Sequence, residues 1–502
     1  MDDSLKQQFE AALALQQQNK LEAAIPLLHS LLIQSPRDGD ILHALGMAYA
    51  QNHDFEKARS YLEQAIQAAP KVAEFHNNIA NVYKGMGQLS LAQRHYQEAL
   101  RLKTPYPQAH NNLGALLYKL GKYDEAINHF QKAVRMAPFA VDTHYNLANA
   151  YIQQDRFLDA KAHYEEVLKL RPEHLGALHN LGITLCVLKQ FAQAAPLLEQ
   201  VISREPHNID ALYHLGVIAS ALNNGEEAKT YFSKVLELNP NHANSQHNLA
   251  TVYLQLGEPA LALSHFQAAF ALEPNNQTAA HMIAALQGKT SPEGAPLPFT
   301  RALFDQYAYS YDQHVKNQLN YQVPTLLRQA MAPFINQRQS WDTLDLGCGS
   351  GLCAPLFADL ATRLTGVDLS PNMLEVAKQR GAYNALYCED ALSFLQTQKA
   401  SFDLIIAADV FVYFGSLSAV FNACQRALKE SGYFCFSIET LEDDNKEDYQ
   451  LRHTGRYAHR RSYIQQLLAQ YHFKQLDEQS ATLRTQEGEA VIGHIFVLQK
   501  IA

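Results

Sequence analysis

A period of 34 residues runs through the N-terminal half of this chain and constrains its fold more than any other feature. A small residue follows a Leu or Ile at Gly46, Ala80, Gly114, Ala148, Gly182, Gly216 and Ala250. A second small residue recurs in phase at Ala58, Ala92, Ala126, Ala160, Ala194, Ala228 and Ala262. Prolines close most units, from Pro36 and Pro70 to Pro240 and Pro274, with Thr104 the one departure. A weaker first unit on Ala12, Ala24 and Pro36 brings the total to eight, and Gln277–Leu286 reads as a capping helix. Small residues let two helices approach closely, and proline stops the second. No such unit can bury its apolar face alone, so the units must stack. The period predicts an α-solenoid over residues 5–288.

These positions resemble tetratricopeptide repeats, which implies a superhelix whose groove takes a protein or peptide. Asn78, Asn112, Asn146, Asn180 and Asn248 stand two residues before the small anchor, with His214 interrupting the series. Similar stacked asparagines line the superhelix of the O-GlcNAc transferases and hold an extended polypeptide backbone there. An amide carries both donor and acceptor, so it can pair a peptide unit without reading its side chain. The alternative is that Asn is common at this repeat position. Histidines also stack in phase at His76, His110 and His144, and at His95, His129 and His163. No carboxylate or thiol recurs with them, so no metal is expected.

A net charge of −9 offers no broad field for phosphate backbones, so nucleic acid is not an expected partner. Six cysteines without a C-x-x-C pair read as reduced thiols. The first residues lack the form of a signal peptide, and no apolar run reaches membrane-spanning length. The expectation is a cytoplasmic protein that does not enter the membrane.

After Leu286 the period fails, and Gly288–Pro296 is a linker by composition, setting expected boundaries of 289–298 for the linker and 299–502 for a second domain. There, short β-branched runs alternate with amphipathic stretches, the pattern of a parallel sheet covered by helices. Expected strands are Thr343–Leu346, Leu364–Asp368, Ala385–Cys388, Leu404–Ala407 and Tyr433–Ile438, with a hairpin of Lys474–Asp477 and Ile492–Leu498. The first strand runs into Asp345-Leu346-Gly347-Cys348-Gly349-Ser350-Gly351. Such a turn lets the backbone approach a ligand, with the next helix N-terminus toward its anionic group. A dinucleotide fingerprint would want glycine at 352, where Leu stands.

The D-x-G-x-G-x-G form resembles motif I of class I methyltransferases, and three further features follow in register. Asp368 ends the second strand, Asp390 follows the third, and Asp409 follows the fourth. The whole chain resembles bacterial methyltransferases that contain tetratricopeptide repeats, which implies a Rossmann-like class I methyltransferase domain behind the solenoid. The resemblance implies S-adenosylmethionine as cofactor, with Asp345, Gly347, Cys348, Gly349 and Gly351 in the binding turn. Asp368 would take the ribose, Leu369 and Met373 would flank the adenine, and Asp390 beside Ala391 would accept the adenine amino group. Asp390 has an alternative as a helix cap.

Methyl transfer from a sulfonium is an in-line displacement, and alignment supplies much of its catalysis. A general base is needed only when the acceptor must lose a proton. Candidates at the expected cleft are Asp409, Tyr413, His459 and Tyr457, and Tyr307 and His314 are expected to close over the cofactor. The expected function is methylation of a protein or peptide recruited by the repeats; the alternative is a small-molecule acceptor with the repeats as scaffold.

Overall fold

The computed structural model describes residues 3–290, 294–308, 311–312, 315, 319–335, 340–442, 446–486 and 489–501. By contact it divides into two compact units, Met1–Ile218 and Ala219–Ala502.

The first unit is built of helix pairs. Among them are α3 (Gly39–Gln51) with α4 (Phe55–Ala68), α5 (Ala73–Gly85) with α6 (Leu89–Leu102), and α7 (Pro107–Lys119) with α8 (Tyr123–Met136). The anchoring glycines are small because the partner helix leaves no room. A Cβ on Gly46 would stand 2.6 Å from Leu62 Cγ, and one on Gly114 would stand 2.7 Å from the Phe130 ring. The second small residue is fully buried in each pair, as at Ala58, Ala92 and Ala126. Helix starts are capped locally where the residue allows: the Asp38 carboxylate accepts from the N–H groups of Asp40 and Ile41.

The second unit holds the last helix pairs, ending with Ala243–Gln255, Pro259–Leu272 and the capping helix α17 (Gln277–Leu286), where the period placed it. A helix α18 (Leu297–Tyr307) follows, and then the sheet. Its strands are β1 (Trp341–Leu346), β2 (Ala361–Asp368), β3 (Ala385–Cys388), β4 (Phe402–Ala407), β5 (Leu428–Leu441), β6 (Tyr449–Leu451), β7 (Tyr457–Arg460), β8 (Phe473–Gln486) and β9 (Glu489–Lys500). The order is β3-β2-β1-β4-β5-β7-β6, with β9 antiparallel to β5 and to β8. Strands β6 and β7 were not expected: they are short and largely polar, so no alternating pattern marks them.

Alternate residues of the central strands enter opposite cores. Ile405, Phe434 and Phe436 join the cluster with Phe411 and Phe421; Leu404, Ile406 and Cys435 join the one with Leu327 and Trp341. Both faces are therefore covered, as a parallel sheet requires. The strand order reverses between β1 and β4, which opens a crevice at their C-terminal ends, where such sheets bind ligands. Among the described residues no helix is long and apolar enough to cross a membrane.

Candidate active site

The turn after β1 is held open by backbone that only glycine adopts freely. Gly347, Gly349 and Gly351 have φ of 66°, 52° and 83°. A Cβ on Gly347 would lie 2.6 Å from Val410 Cγ2, so the turn also packs directly against the segment after β4. The Gly349 N–H donates to Asp368 Oδ2 at 2.8 Å, and the Ser370 N–H donates to Oδ1 at 2.9 Å. Burial pushes the Asp368 carboxyl up, and these two N–H donors oppose the shift.

The turn opens on a cavity of about 940 Å³, near the top of the range for small-ligand sites. The structure brings most of the expected residues to it. Gly347 and Gly349 come from the turn, Asp368 and Leu369 from the end of β2, Asp390 and Ala391 from beyond β3, and Asp409 and Tyr413 from beyond β4. Asp390 lines the cavity and also caps the helix Ala391–Gln396, accepting from Ser393 N–H at 2.9 Å.

Four expected cofactor residues lie behind the turn instead. Asp345 is buried, accepts the Tyr383 hydroxyl at 2.6 Å through Oδ2, and has no partner for Oδ1 among the described residues. Burial pushes its pKa to about 7. Cys348 is a buried filler whose N–H donates to the Val367 carbonyl, and burial keeps its thiol protonated. Gly351 packs against Tyr383 and Arg380, and Met373 is fully buried. The helix after the turn is a single turn, Ala354–Phe357, too short for the dipole expected there.

His459 is corrected. It is fully buried away from the cavity, its ring Nε2 bonds the Gly415 carbonyl at 2.9 Å, and burial pushes its pKa down to about 4. It is a structural imidazole between β7 and the loop after β4. Asp409 lines the cavity with φ of 59°, a conformation costly without glycine, but its carboxylate is occupied. Arg484 Nη1 donates to both its oxygens at 2.9 and 2.8 Å, and Arg484 Nη2 pairs with Glu439. The Tyr413 phenol is pushed up by burial, with Arg456 opposing. The Tyr307 side chain and His314 lie outside the described residues.

Sequence reasoning missed one wall altogether. Gln277, Ala280, His281 and Ala284 of α17, the last helix of the solenoid, line the cavity. His281 Nε2 bonds the Gly455 carbonyl at 2.9 Å, and its ring packs on Phe299 and Tyr457. The linker is docked, too: Ala295 N–H donates to the Tyr413 carbonyl at 2.8 Å, where a Cβ on Gly294 would already touch. The glycine of Thr454-Gly455-Arg456 was the available signal, because a side chain there would meet Met282 and Phe299.

Four of the repeat asparagines bond side chains of the preceding repeat. Asn112 Nδ2 donates to Asn77 Oδ1 at 3.0 Å, Asn146 Nδ2 to Asn111 Oδ1 at 3.1 Å, and Asn180 Nδ2 to Tyr145 and Asn149. Asn78 Nδ2 meets His43 Nε2 at 2.8 Å. Amide hydrogens expected to face a peptide therefore tie each repeat to the one before it. Asn248, in the second unit, is half-buried. The histidines pair as well, His76 with His95, His110 with His129 and His144 with His163, with Nδ1 atoms 2.9–3.1 Å apart. Among the described residues no group of three or more His, Cys, Asp or Glu is placed to hold a metal.

Comparison with known proteins agrees with this geometry. A methyltransferase-domain family model matches residues 344–436, and tetratricopeptide-repeat models match 37–138, 117–181, 188–251 and 243–276. The chain is 33% identical over 98 residues to a ubiquinone biosynthesis O-methyltransferase of Idiomarina loihiensis, covering 19% of this chain and 40% of the relative. It is 30% identical over 138 residues to a malonyl-[acyl-carrier protein] O-methyltransferase of Acetivibrio thermocellus, covering 27% and 47%. A sterol 4-C-methyltransferase of Caenorhabditis elegans is 31% identical over 124 residues, covering 23% and 37%. The chain thus spans less than half the length of these curated relatives. Among solved structures, pilF of Pseudomonas aeruginosa is 22% identical with a TM-score of 0.39, covering 42% of this chain and 97% of that one. YrrB, a TPR protein with an unusual peptide-binding site, is also 22% identical with a TM-score of 0.35, covering 37% and 96%. A glycine turn at the switch point of a parallel sheet, acids at three strand ends and a 34-residue helical lattice meet in one chain, which carries tetratricopeptide repeats ahead of a class I methyltransferase domain, the kind that uses S-adenosylmethionine.

Proposed function

We propose that this protein methylates a small molecule taken into the cavity at the ends of β1 and β4. The observation that carries the reading is the cradle itself: an open glycine turn braced by Asp368, facing a cavity large enough for a donor and an acceptor together. S-adenosylmethionine, when bound, supplies an electrophilic methyl group. Asp368 would hold its ribose hydroxyls, Leu369 its adenine face and Asp390 its adenine amino group, while Asp345 Oδ1, without a partner among the described residues, sits behind the turn. The chain's own contribution to the reaction is to align the acceptor and exclude water, which the walls of α17, the linker and Tyr413 do. Relatives named as a sterol 4-C-methyltransferase and a ubiquinone biosynthesis O-methyltransferase support a small acceptor.

The second reading, a protein or peptide acceptor recruited by the repeats, rests on the five-asparagine series. It is weakened because Asn112, Asn146 and Asn180 each commit amide donors to bonds between repeats. Titration calorimetry with S-adenosylmethionine tests the first reading: Asp368→Asn should weaken binding by about 1.5–3 kcal/mol, because a charged acceptor is lost. Unchanged affinity would remove Asp368 from the site. Incubating tritiated S-adenosylmethionine with lysate separates the acceptors, since label confined to macromolecules would favour the peptide reading.

A further inference from the structure

Among the described residues the cavity holds a cation, Arg456, that has the Tyr413 phenol beside it but no carboxylate in salt-bridge contact. Arg456 lies in the turn between β6 and β7, lines the cavity, and sits 6.0 Å from the centre of the Tyr413 ring. Other arginines nearby do meet carboxylates, Arg460 with Asp448 at 2.7 Å, Arg461 with Glu478 at 2.6 Å, and Arg484 with Asp409 and Glu439, while Arg452 donates to the Thr440 carbonyl. Arg456 makes no salt bridge among the described residues. A guanidinium does not lose its proton in a protein, so it stays charged facing the cavity. The same cavity is lined by apolar side chains, among them Ala280, Ala284, Leu297, Phe304, Phe414 and Val420, with Gln277, Thr300, Ser416 and Ser418 between them.

A second observation concerns what the same cavity lacks. Beside Glu389 and Asp390 beyond β3, the cavity is lined by titratable groups poorly suited to take a proton. Asp409 is held on both oxygens by Arg484. The phenols of Tyr311 and Tyr413 are pushed up by burial and stay protonated. Burial pushes His281 down, and its Nε2 is engaged with the Gly455 carbonyl. An acceptor alcohol or ammonium must lose a proton during methylation; a carboxylate arrives already ionised.

We propose that the acceptor is a carboxylic acid with an apolar body, held by Arg456 and methylated on oxygen. This rests on the methyltransferase reading above and names its substrate class. One carboxylate oxygen pairs with the Arg456 guanidinium while the other attacks the methyl carbon. The O–C bond forms as the S–C bond breaks, the electron pair of the latter leaves with sulfur, and no proton moves. An anion and a sulfonium become a neutral methyl ester and S-adenosylhomocysteine. The ester no longer pairs with Arg456, which favours release of product.

The test uses the full-length chain and three probe acids: octanoate, decanoate and phenylacetate. With saturating S-adenosylhomocysteine, at least one should bind the wild type by calorimetry and, with S-adenosylmethionine, yield its methyl ester by mass spectrometry. Arg456→Gln should weaken that binding at least tenfold, Arg456→Lys should recover part of it, and S-adenosylmethionine affinity should stay within twofold, which also shows that the variant is folded. The turnover rate should be flat from about pH 6.5 to 9, because no base titrates. Three results overturn the proposal. None of the acids binds although S-adenosylmethionine does; or Arg456→Gln loses S-adenosylmethionine but not its decarboxylated analogue, which would give Arg456 to the donor's carboxylate; or the rate rises with pH in a limb that His281→Asn abolishes. A wild type that fails to bind S-adenosylmethionine sinks the methyltransferase reading itself.

Discussion

The repeats of the first unit and the catalytic sheet of the second bury polar groups by opposite means. In the repeats the buried polar side chains are neutral and periodic: amides donate 35 residues back along the chain, and imidazoles pair 19 residues apart within a repeat. His76 and His144 also bond the Pro70 and Pro138 carbonyls, which gives partners to groups at the helix ends. In the sheet the buried polar groups occur once each, and beside neutral ones such as Thr343 and Ser437 they include charged ones. Arg484, on β8, joins Asp409 after β4 to Glu439 on β5 inside an otherwise apolar core. A repeated neutral bond is one of many and is cheap to lose. A buried ion that loses its partner is left in a medium that cannot solvate it.

The largest expected effect follows from that contrast. Arg484→Met leaves the Asp409 and Glu439 carboxylates buried together without a cation, and should cost about 3–5 kcal/mol in urea unfolding. The loss should shrink at acid pH, where the two carboxyls can protonate. A loss under 1 kcal/mol at neutral pH would show that the triad is solvated and the contrast false.

Asp345 sharpens the comparison through pH. Its pKa is raised by burial from 3.8 to about 7, so between those values the folded state binds more protons than the unfolded one. Stability therefore falls as pH rises through this window and levels off above it. Asp345→Asn keeps an acceptor for the Tyr383 hydroxyl and removes the fall. Relative to wild type it should gain on the order of 3 kcal/mol more at pH 8 than at pH 5. Equal differences at both pH values would mean that the carboxyl titrates normally.

The smallest effect is expected in the lattice. Asn112→Ala removes one bond to Asn77 and should cost about 0.5–1.5 kcal/mol, with no change in S-adenosylmethionine affinity. A loss near that of Arg484→Met would show that the ladder acts as one cooperative network and not as separate bonds.

What could be read from the chain alone was whatever local spacing imposes. The helix pairs follow from a period, because a small residue must clear the partner helix, as Gly114 clears Phe130 and Gly46 clears Leu62, and the same spacing recurs in each unit. Strands β1 to β5, the glycine turn and Asp368 follow from runs of β-branched residues and from an acid about 20 residues beyond the turn. The capping helix α17 was legible as a helix for the same reason. That it also walls the cavity was decided by its contact with Gly455, 174 residues away in sequence. Tertiary structure likewise gave Asp409 its cation from β8, withdrew His459 into the core, and left Arg456 facing the cavity. Each of these depends on which distant segments pack together, and no periodicity or turn chemistry encodes such a pairing. Burial then sets the charge and reach of the side chain, so a residue's type announced its chemistry while its neighbours decided whether that chemistry could be used.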